Sequence, residues 1–271
     1  MQLILITKDS AQARAMVRAG VDRIMVDLEI NGKEDRQGHL NTVISRHCFQ
    51  DISTVRQALD EVGTGVLMVR INPLGPSSQA EIDEVIARGA DRIMLPMFTH
   101  PDEVARCIDL IGGRVPLTLL LETAPALVRL PQILSVEGID DLHIGLNDLH
   151  LDMRLDFMFE LFGSDLLDNA ARLIRAKGLP FGIGGVACVG TGKLPAELIL
   201  AAHMQLGSER VILSRGFTQT IEEGGSAENE IRKLREYLAR KDLDLPALRQ
   251  DLNRIAWQIA NEKRSAISQL A

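Results

Sequence analysis

The phrase Gly20-Val21-Asp22-Arg23-Ile24-Met25 returns as Gly89-Ala90-Asp91-Arg92-Ile93-Met94, as Gly138-Ile139-Asp140-Asp141-Leu142-His143 and as Gly207-Ser208-Glu209-Arg210-Val211-Ile212. In each copy a helical stretch ends at glycine, an acidic residue follows and a short apolar run begins. Glycine suits the left-handed position that closes a helix, and a β-branched run after it suits a buried strand. Each copy therefore reads as a helix-to-strand turn. The second copy begins 69 residues after the first and the fourth 69 residues after the third, which implies two similar halves.

Between the copies lie four more runs that read as buried strands: Leu3 to Ile6, Gly65 to Arg70, Leu117 to Glu122 and Phe181 to Val186. Eight strands separated by helical patterns such as Ala80 to Arg88 and Leu194 to Gln205 indicate a closed (β/α)8 TIM barrel. The competing fold is a doubly wound open sheet, which usually carries a glycine-rich phosphate turn after its first strand. Here Thr7-Lys8-Asp9-Ser10 follows, which reads as a helix cap. After about Gly225 only helical patterns remain, with Ile231, Leu234 and Leu238 on one stripe and Leu245, Leu248, Leu252, Ile255 and Ile259 on another. The chain thus divides into a barrel over residues 1–221 and a C-terminal helical extension over 222–271, whose second stripe must bury against its own barrel or a neighbouring subunit.

Among 271 residues, 30 Lys and Arg face 37 Asp and Glu, and aromatics make up only 3%. An acidic chain without stacking platforms argues against nucleic acid as a partner. The longest apolar runs, such as Val115 to Leu121, fall far short of the roughly 20 residues of a membrane span. Met1 to Ile6 lacks the features of a signal peptide and reads as a strand, so a cytoplasmic protein is expected. Cys48, Cys107 and Cys188 suit neither a disulfide framework nor a Cys-x-x-Cys metal site and are expected as buried small hydrophobes.

In such barrels the chemistry collects at the C-terminal strand ends. Those ends carry Asp27 and Glu29, Arg70 and Asn72, Glu122 and Thr123, Asn147 and Asp148, and Ser214 and Arg215. Carboxylate oxygens without cysteine suit a hard divalent cation. Glu122 and Asp148 end neighbouring strands and are the leading metal ligands; the bland alternative is that each acid caps the helix that follows. Arg70, after four apolar residues, needs either an anionic ligand such as a substrate carboxylate or a salt bridge to Glu29 or Glu122.

These residues resemble the HpcH/HpaI aldolase and citrate lyase β-subunit family over roughly Leu3 to Arg215. The likeness rests on Val26-Asp27-Leu28-Glu29, Val69-Arg70-Ile71-Asn72, Ile93-Met94-Leu95-Pro96-Met97 and Leu121-Glu122-Thr123, and most specifically on Gly138-Ile139-Asp140 followed by Ile144-Gly145-Leu146-Asn147-Asp148-Leu149. The resemblance implies that Glu122 and Asp148 hold a divalent metal, that Arg70 binds the substrate's oxo or enolate oxygen, and that Glu29 helps organise the metal's water shell. Aldolases of the family often place a histidine directly after the acid that Glu29 matches, but Ile30 stands there. The lyase branch tends to have an Asp-Leu-Glu phrase followed by a lysine and an arginine, to which Lys33 and Arg36 are similar.

The expectation is a lyase or aldolase that uses Mg²⁺ or Mn²⁺ to cleave or form a carbon–carbon bond next to a 2-oxo acid, as a homo-oligomer. Arg70, Asn147 and Asp27 are expected against the substrate, and Glu29 among the catalytic groups. For the base, His39 leads and His47 follows, both in the polar stretch after the second strand. His143 and His203 read as structural, and His150 as a loop residue or a substrate contact. Leu151 to Leu167 reads as a helix packed on the barrel or a cover over its mouth. Schiff-base chemistry is disfavoured because only Lys8 ends a strand, and Gly190-Thr191-Gly192-Lys193 lacks the rest of a phosphate loop. The alternatives are a citrate-lyase-like acyl-thioester lyase and a barrel that has lost catalysis and serves as a binding or assembly protein.

Overall fold

A computed structural model describes residues 1–30 and 47–268. Its strands are β1 (Gln2–Ile6), β2 (Arg23–Asp27), β3 (Val66–Arg70), β4 (Arg92–Leu95), β5 (Leu117–Leu121), β6 (Asp141–Ile144), β7 (Phe181–Val186) and β8 (Arg210–Leu213). All neighbours pair in parallel, and β8 pairs back onto β1, so the sheet closes into the expected barrel in sequence order. Closure removes every sheet edge, and the surrounding helices bury the outward side chains of the strands.

The recurring phrase does two structural jobs. Its glycines, Gly20, Gly89, Gly138 and Gly207, all have positive φ, between 76° and 108°, where a Cβ would be strained. The acid two residues later ties the incoming chain to the start of the preceding strand. Leu3, Leu67 and Leu117 donate their backbone N–H groups to the carboxylates of Asp22, Asp91 and Asp140 at 2.7, 2.8 and 2.7 Å. The next residue of each copy opens an even-numbered strand. Arg23, Arg92 and Arg210 there approach one oxygen, Asp141 Oδ2, at 3.4, 3.0 and 3.3 Å. One departure from the repeat, Asp141 where the other copies carry arginine, thus supplies the anion that the three guanidiniums share.

Ile4, Met25, Met68, Met94 and Leu120 fill the interior beyond that charged layer, with Ile6 and Ile212 beside them. The larger apolar cluster lies between the sheet and the helices. In the C-terminal extension, helices Ala227–Leu238 and Leu245–Ser268 pack on the chain's own barrel. Of the second apolar stripe, Leu252 and Ile259 are buried there, while Leu245, Leu248 and Ile255 stay half-buried. Leu151 to Leu167 contains the end of a short helix (Leu146–Asp152), a 3-10 turn (Met158–Gly163) and the start of a helix (Asp165–Ala176).

Two of the three cysteines are buried as expected, but Cys48 is exposed. It sits where helix Phe49–Val62 begins and donates its backbone N–H to Asp51 at 2.7 Å, so a surface helix cap decides its placement. Among the described residues no helix is long and apolar enough to cross a membrane.

Candidate active site at the C-terminal mouth

A cavity of about 420 Å³ opens at the C-terminal ends of the strands, floored by Ile6, Met25, Met94, Leu120 and Ile212. Asp27, Arg70, Glu122, Asn147 and Asp148 line it, with Ser214 and Arg215 on the side of β8. Residues expected at the site from the sequence are therefore brought together from strands far apart along the chain. Glu29 is fully buried just behind, 3.3 Å from Arg70 Nη1. Asn72 and Thr123 serve the scaffold. Asn72 hydrogen-bonds Glu81 and accepts the Ile30 N–H, while Thr123 caps helix Ala124–Val128. His39, like Lys33 and Arg36, lies outside the described residues.

Arg70 ends β3 in register with Asp27, the last residue of β2. Its Nε and Nη2 donate to the two Asp27 oxygens at 2.8 Å each, a bidentate fork that fixes the guanidinium plane. The principal partner is thus Asp27, with Glu29 second. Burial alone would lower the Arg70 pKa. Asp27, by charge and by hydrogen bond, and then Glu29 and Glu122 more than offset this and hold it above its ordinary value.

Glu122 is 2% exposed, one residue beyond β5. The cap of the next helix is Thr123, so capping does not account for Glu122. Its Oε1 accepts the Met97 N–H at 3.1 Å. Met97 adopts φ 56°, rare for a residue with a side chain, and this turn follows β4 through Pro96. Gly145 leaves the room on the other side: a Cβ there would lie 2.9 Å from Glu122 Oε2. Burial raises the Glu122 pKa well above the carboxylate range. Arg70 pulls it down, the charges of Asp148 and Glu29 push it up, and the Met97 amide pulls it down again.

Asp148 lies in the first turn of helix Leu146–Asp152, whose N-cap position is Gly145, so it is not the cap either. It is 8% exposed. Four buried carboxylates thus gather at the mouth beside one half-buried arginine. Among the described residues no group of three or more His, Cys, Asp or Glu side chains has a metal-binding arrangement. Glu122 and Asp148 are a pair.

His47 reaches the cavity, and the Asp27 N–H donates to its Nδ1 at 2.9 Å. An amide N–H cannot accept, so Nδ1 carries no proton and the neutral ring bears its hydrogen on Nε2. His143, inside the barrel, also borders the cavity, and burial pushes its pKa down to about 4. His150 is buried with Nδ1 against the Leu146 carbonyl, and His203 is buried on helix Ala196–Leu206.

Sequence reasoning missed the Met97 amide and the space above Gly145, because neither is a polar side chain. The available signal was the phrase Leu95-Pro96-Met97, where a proline directly after a strand forces a turn at its mouth.

A sequence profile described as HpcH/HpaI aldolase/citrate lyase matches residues 3–189. Among solved structures, an HpcH/HpaI aldolase from Desulfitobacterium hafniense DCB-2 is similar at 14% identity and TM-score 0.62, over 87% of this chain and 93% of the other. An HpcH/HpaI aldolase/citrate lyase family protein from Burkholderia cenocepacia J2315 is similar at 14% identity and TM-score 0.65, over 85% and 94%. The citrate synthase SbnG is similar at 15% identity and TM-score 0.58, over 87% and 94%. At such identities these likenesses speak to the fold. No match is found among curated proteins.

Proposed function

Because the chain belongs to the HpcH/HpaI aldolase/citrate lyase family and is a lyase of that type, we propose that it cleaves or forms a carbon–carbon bond next to a 2-oxo acid, with Mg²⁺ or Mn²⁺ held by Glu122 and Asp148. The observation that carries this reading is the burial of the Glu122 carboxyl, 2% exposed, at a cavity that the buried Asp148 also lines, with Glu29 fully buried behind. A site that crowds carboxylates out of water favours a cation. The donors are hard oxygens, and Mg²⁺ commonly uses one or two protein carboxylates while retaining water, so a pair suffices.

Bound there, a divalent cation supplies Lewis acidity toward the oxygens of the 2-oxo acid. The chain's own residues do the rest. The Asp27 fork holds the Arg70 guanidinium at the cavity wall, where its charge offsets the negative charge that collects on the substrate's oxo oxygen as the bond beyond C3 breaks. Glu29 supports Arg70 from behind. Asn147 offers an amide at the same wall, and the apolar floor keeps water from the reacting carbon. His47 borders the same cavity, with its Nδ1 accepting the Asp27 amide. A homo-oligomer remains part of the proposal, supported by the 66% exposure of Trp257 on the C-terminal helix, and light scattering tests it.

The test of the reaction is exchange of the methyl protons of pyruvate in deuterated water, followed by proton NMR. We expect exchange that needs Mg²⁺ or Mn²⁺, stops on chelation, and falls by about 10²-fold or more in Arg70→Met. Absence of metal-dependent exchange with any 2-oxo acid overturns the reading.

A further inference from the structure

Part of the cavity wall comes from neither the barrel strands nor the turns directly after them. Met158 lines it, at the start of the 3-10 turn Met158–Gly163. A 3-10 turn has poor internal hydrogen-bond geometry and depends on what packs against it. Here the support comes from the C-terminal helix Leu245–Ser268, which lies outside the residues 3–189 matched to the family.

That helix grips the segment on both sides of Met158. On one side Arg249, 7% exposed, donates from Nε to the Phe162 carbonyl at 2.8 Å and from Nη2 to Asp168 at 3.0 Å. Its guanidinium also lies 5.0 Å from the centre of the Phe162 ring. About 21 Å further along the helix axis, Lys263 Nζ sits 4.7 Å from the Phe157 ring centre, and Arg264 Nε donates to Asp156 at 2.9 Å. Phe157, Phe159 and Phe162 pack on one another between these grips, with ring centres 5.3 and 6.1 Å apart. The chain entering the turn and the chain leaving it are both fastened to one rigid helix.

We propose that Arg249, Lys263 and Arg264 are positioning residues, which hold Met158 as the wall of the cavity and so set the size of the second, carbonyl-bearing substrate. This rests on the reading of the cavity as a carbon–carbon lyase site. The helix touches no reacting atom; it acts through the place it gives Met158. Loss of a grip lets the thioether wall recede, and longer acceptors are then tolerated.

The experiment uses the full chain labelled with ¹³C at the methionine methyl groups, of which there are nine. Met158→Leu assigns the Met158 signal. In Arg249→Met, which adds a tenth methionine signal identified by its absence from the wild-type spectrum, the Met158 resonance is expected to move or broaden, while Met16, buried on helix Ser10–Arg18, stays in place. In the same variant the preference for acetaldehyde over a straight-chain aldehyde two carbons longer falls by about tenfold, and pyruvate proton exchange is unchanged. Arg249→Lys restores part of the preference. Combining Arg249→Met with Met158→Ala adds little beyond either alone, as two changes acting through one contact should. If Arg249→Met does not fold, Lys263→Ala with Arg264→Ala removes the exposed grip and is read in the same ways. A Met158 signal that stays put, a shift shared by all methionines, or fully additive effects overturns the proposal. If wild-type protein shows no pyruvate exchange, the reaction assignment fails, while the Met158 resonance still decides whether the helix holds the wall.

Discussion

Replacing Glu122 by glutamine tests whether carboxylate crowding is the physical basis of the site. The fold raises the Glu122 pKa, so over the window between the unfolded carboxylate range and the raised native value the folded protein holds a proton that the unfolded chain has released. Stability from this group is therefore present at low pH and lost as pH rises through that window, by about 1.4 kcal/mol per pH unit. Glutamine keeps an oxygen for the Met97 N–H and cannot ionise, so E122Q lacks this slope. For a domain of this size about 2–4 °C accompanies each kcal/mol, so in the absence of divalent cations E122Q unfolds at a higher temperature than wild type at pH 8 and at a similar one near pH 4. Mg²⁺ at about 100 times its Kd stabilises wild type by about 2.7 kcal/mol, or roughly 5–10 °C, and E122Q by almost nothing. Thermal unfolding followed by circular dichroism, with chelator and with Mg²⁺, reads both effects. An E122Q protein less stable than wild type at pH 8 without metal, or stabilised equally by Mg²⁺, would refute the idea that crowded acids create the cation site.

Arg70→Met leaves Asp27 and Glu29 buried without their cation, so denaturant unfolding should show a loss of about 3–5 kcal/mol, and Arg70→Lys, which cannot make the fork to Asp27, should recover only part of it. Burial pushes His143 down to about 4 and His203 to about 3, so the fold excludes protons that the unfolded chain binds below about 6.5. The stability both give is complete above that value and is lost as pH falls, about 2 kcal/mol each by pH 5; a pH titration of unfolding in His203→Gln should have a shallower acid limb than wild type. Asp141→Asn removes the one anion among Arg23, Arg92 and Arg210 and should cost about 3–5 kcal/mol in denaturant unfolding while leaving pyruvate exchange in the folded protein unaltered.

The barrel was legible because its recurring phrase encodes a local rule. Glycine at positive φ ends a helix, and the acid after it takes the first amide of the preceding strand, so Gly89 and Asp91 announce a strand whatever lies elsewhere. Glu122 was legible for a related reason, since a carboxylate directly after a buried apolar run needs a partner, whereas Asp148, behind Leu146-Asn147, was singled out by the family resemblance. The pairing of Arg70 with Asp27 was not, because it depends on the register of β2 against β3, which places residues 43 apart side by side only after the sheet has formed. Cys48 was misplaced because a small hydrophobe's usual burial says nothing about a position fixed by a helix start. The Met97 amide has no side-chain signature at all, since its role comes from a backbone angle.

The two ends of the barrel interior obey one rule with opposite signs. At the amino end three arginines surround a single buried carboxylate, and at the carboxyl end four buried carboxylates lie beside a single half-buried arginine. Between them lies an apolar layer of Ile4, Met25, Met68, Met94 and Leu120, which screens the two groups poorly compared with water. At the amino end the excess positive charge is fixed, because arginine does not give up its proton in proteins. At the carboxyl end the excess is adjustable: Glu122 can hold a proton or share a cation. Burial and the neighbouring acids Asp148 and Glu29 disfavour the Glu122 anion, and that is the condition a bound cation would relieve. The direction of the Glu122 shift therefore ties the architecture of the barrel to the chemistry proposed at its mouth.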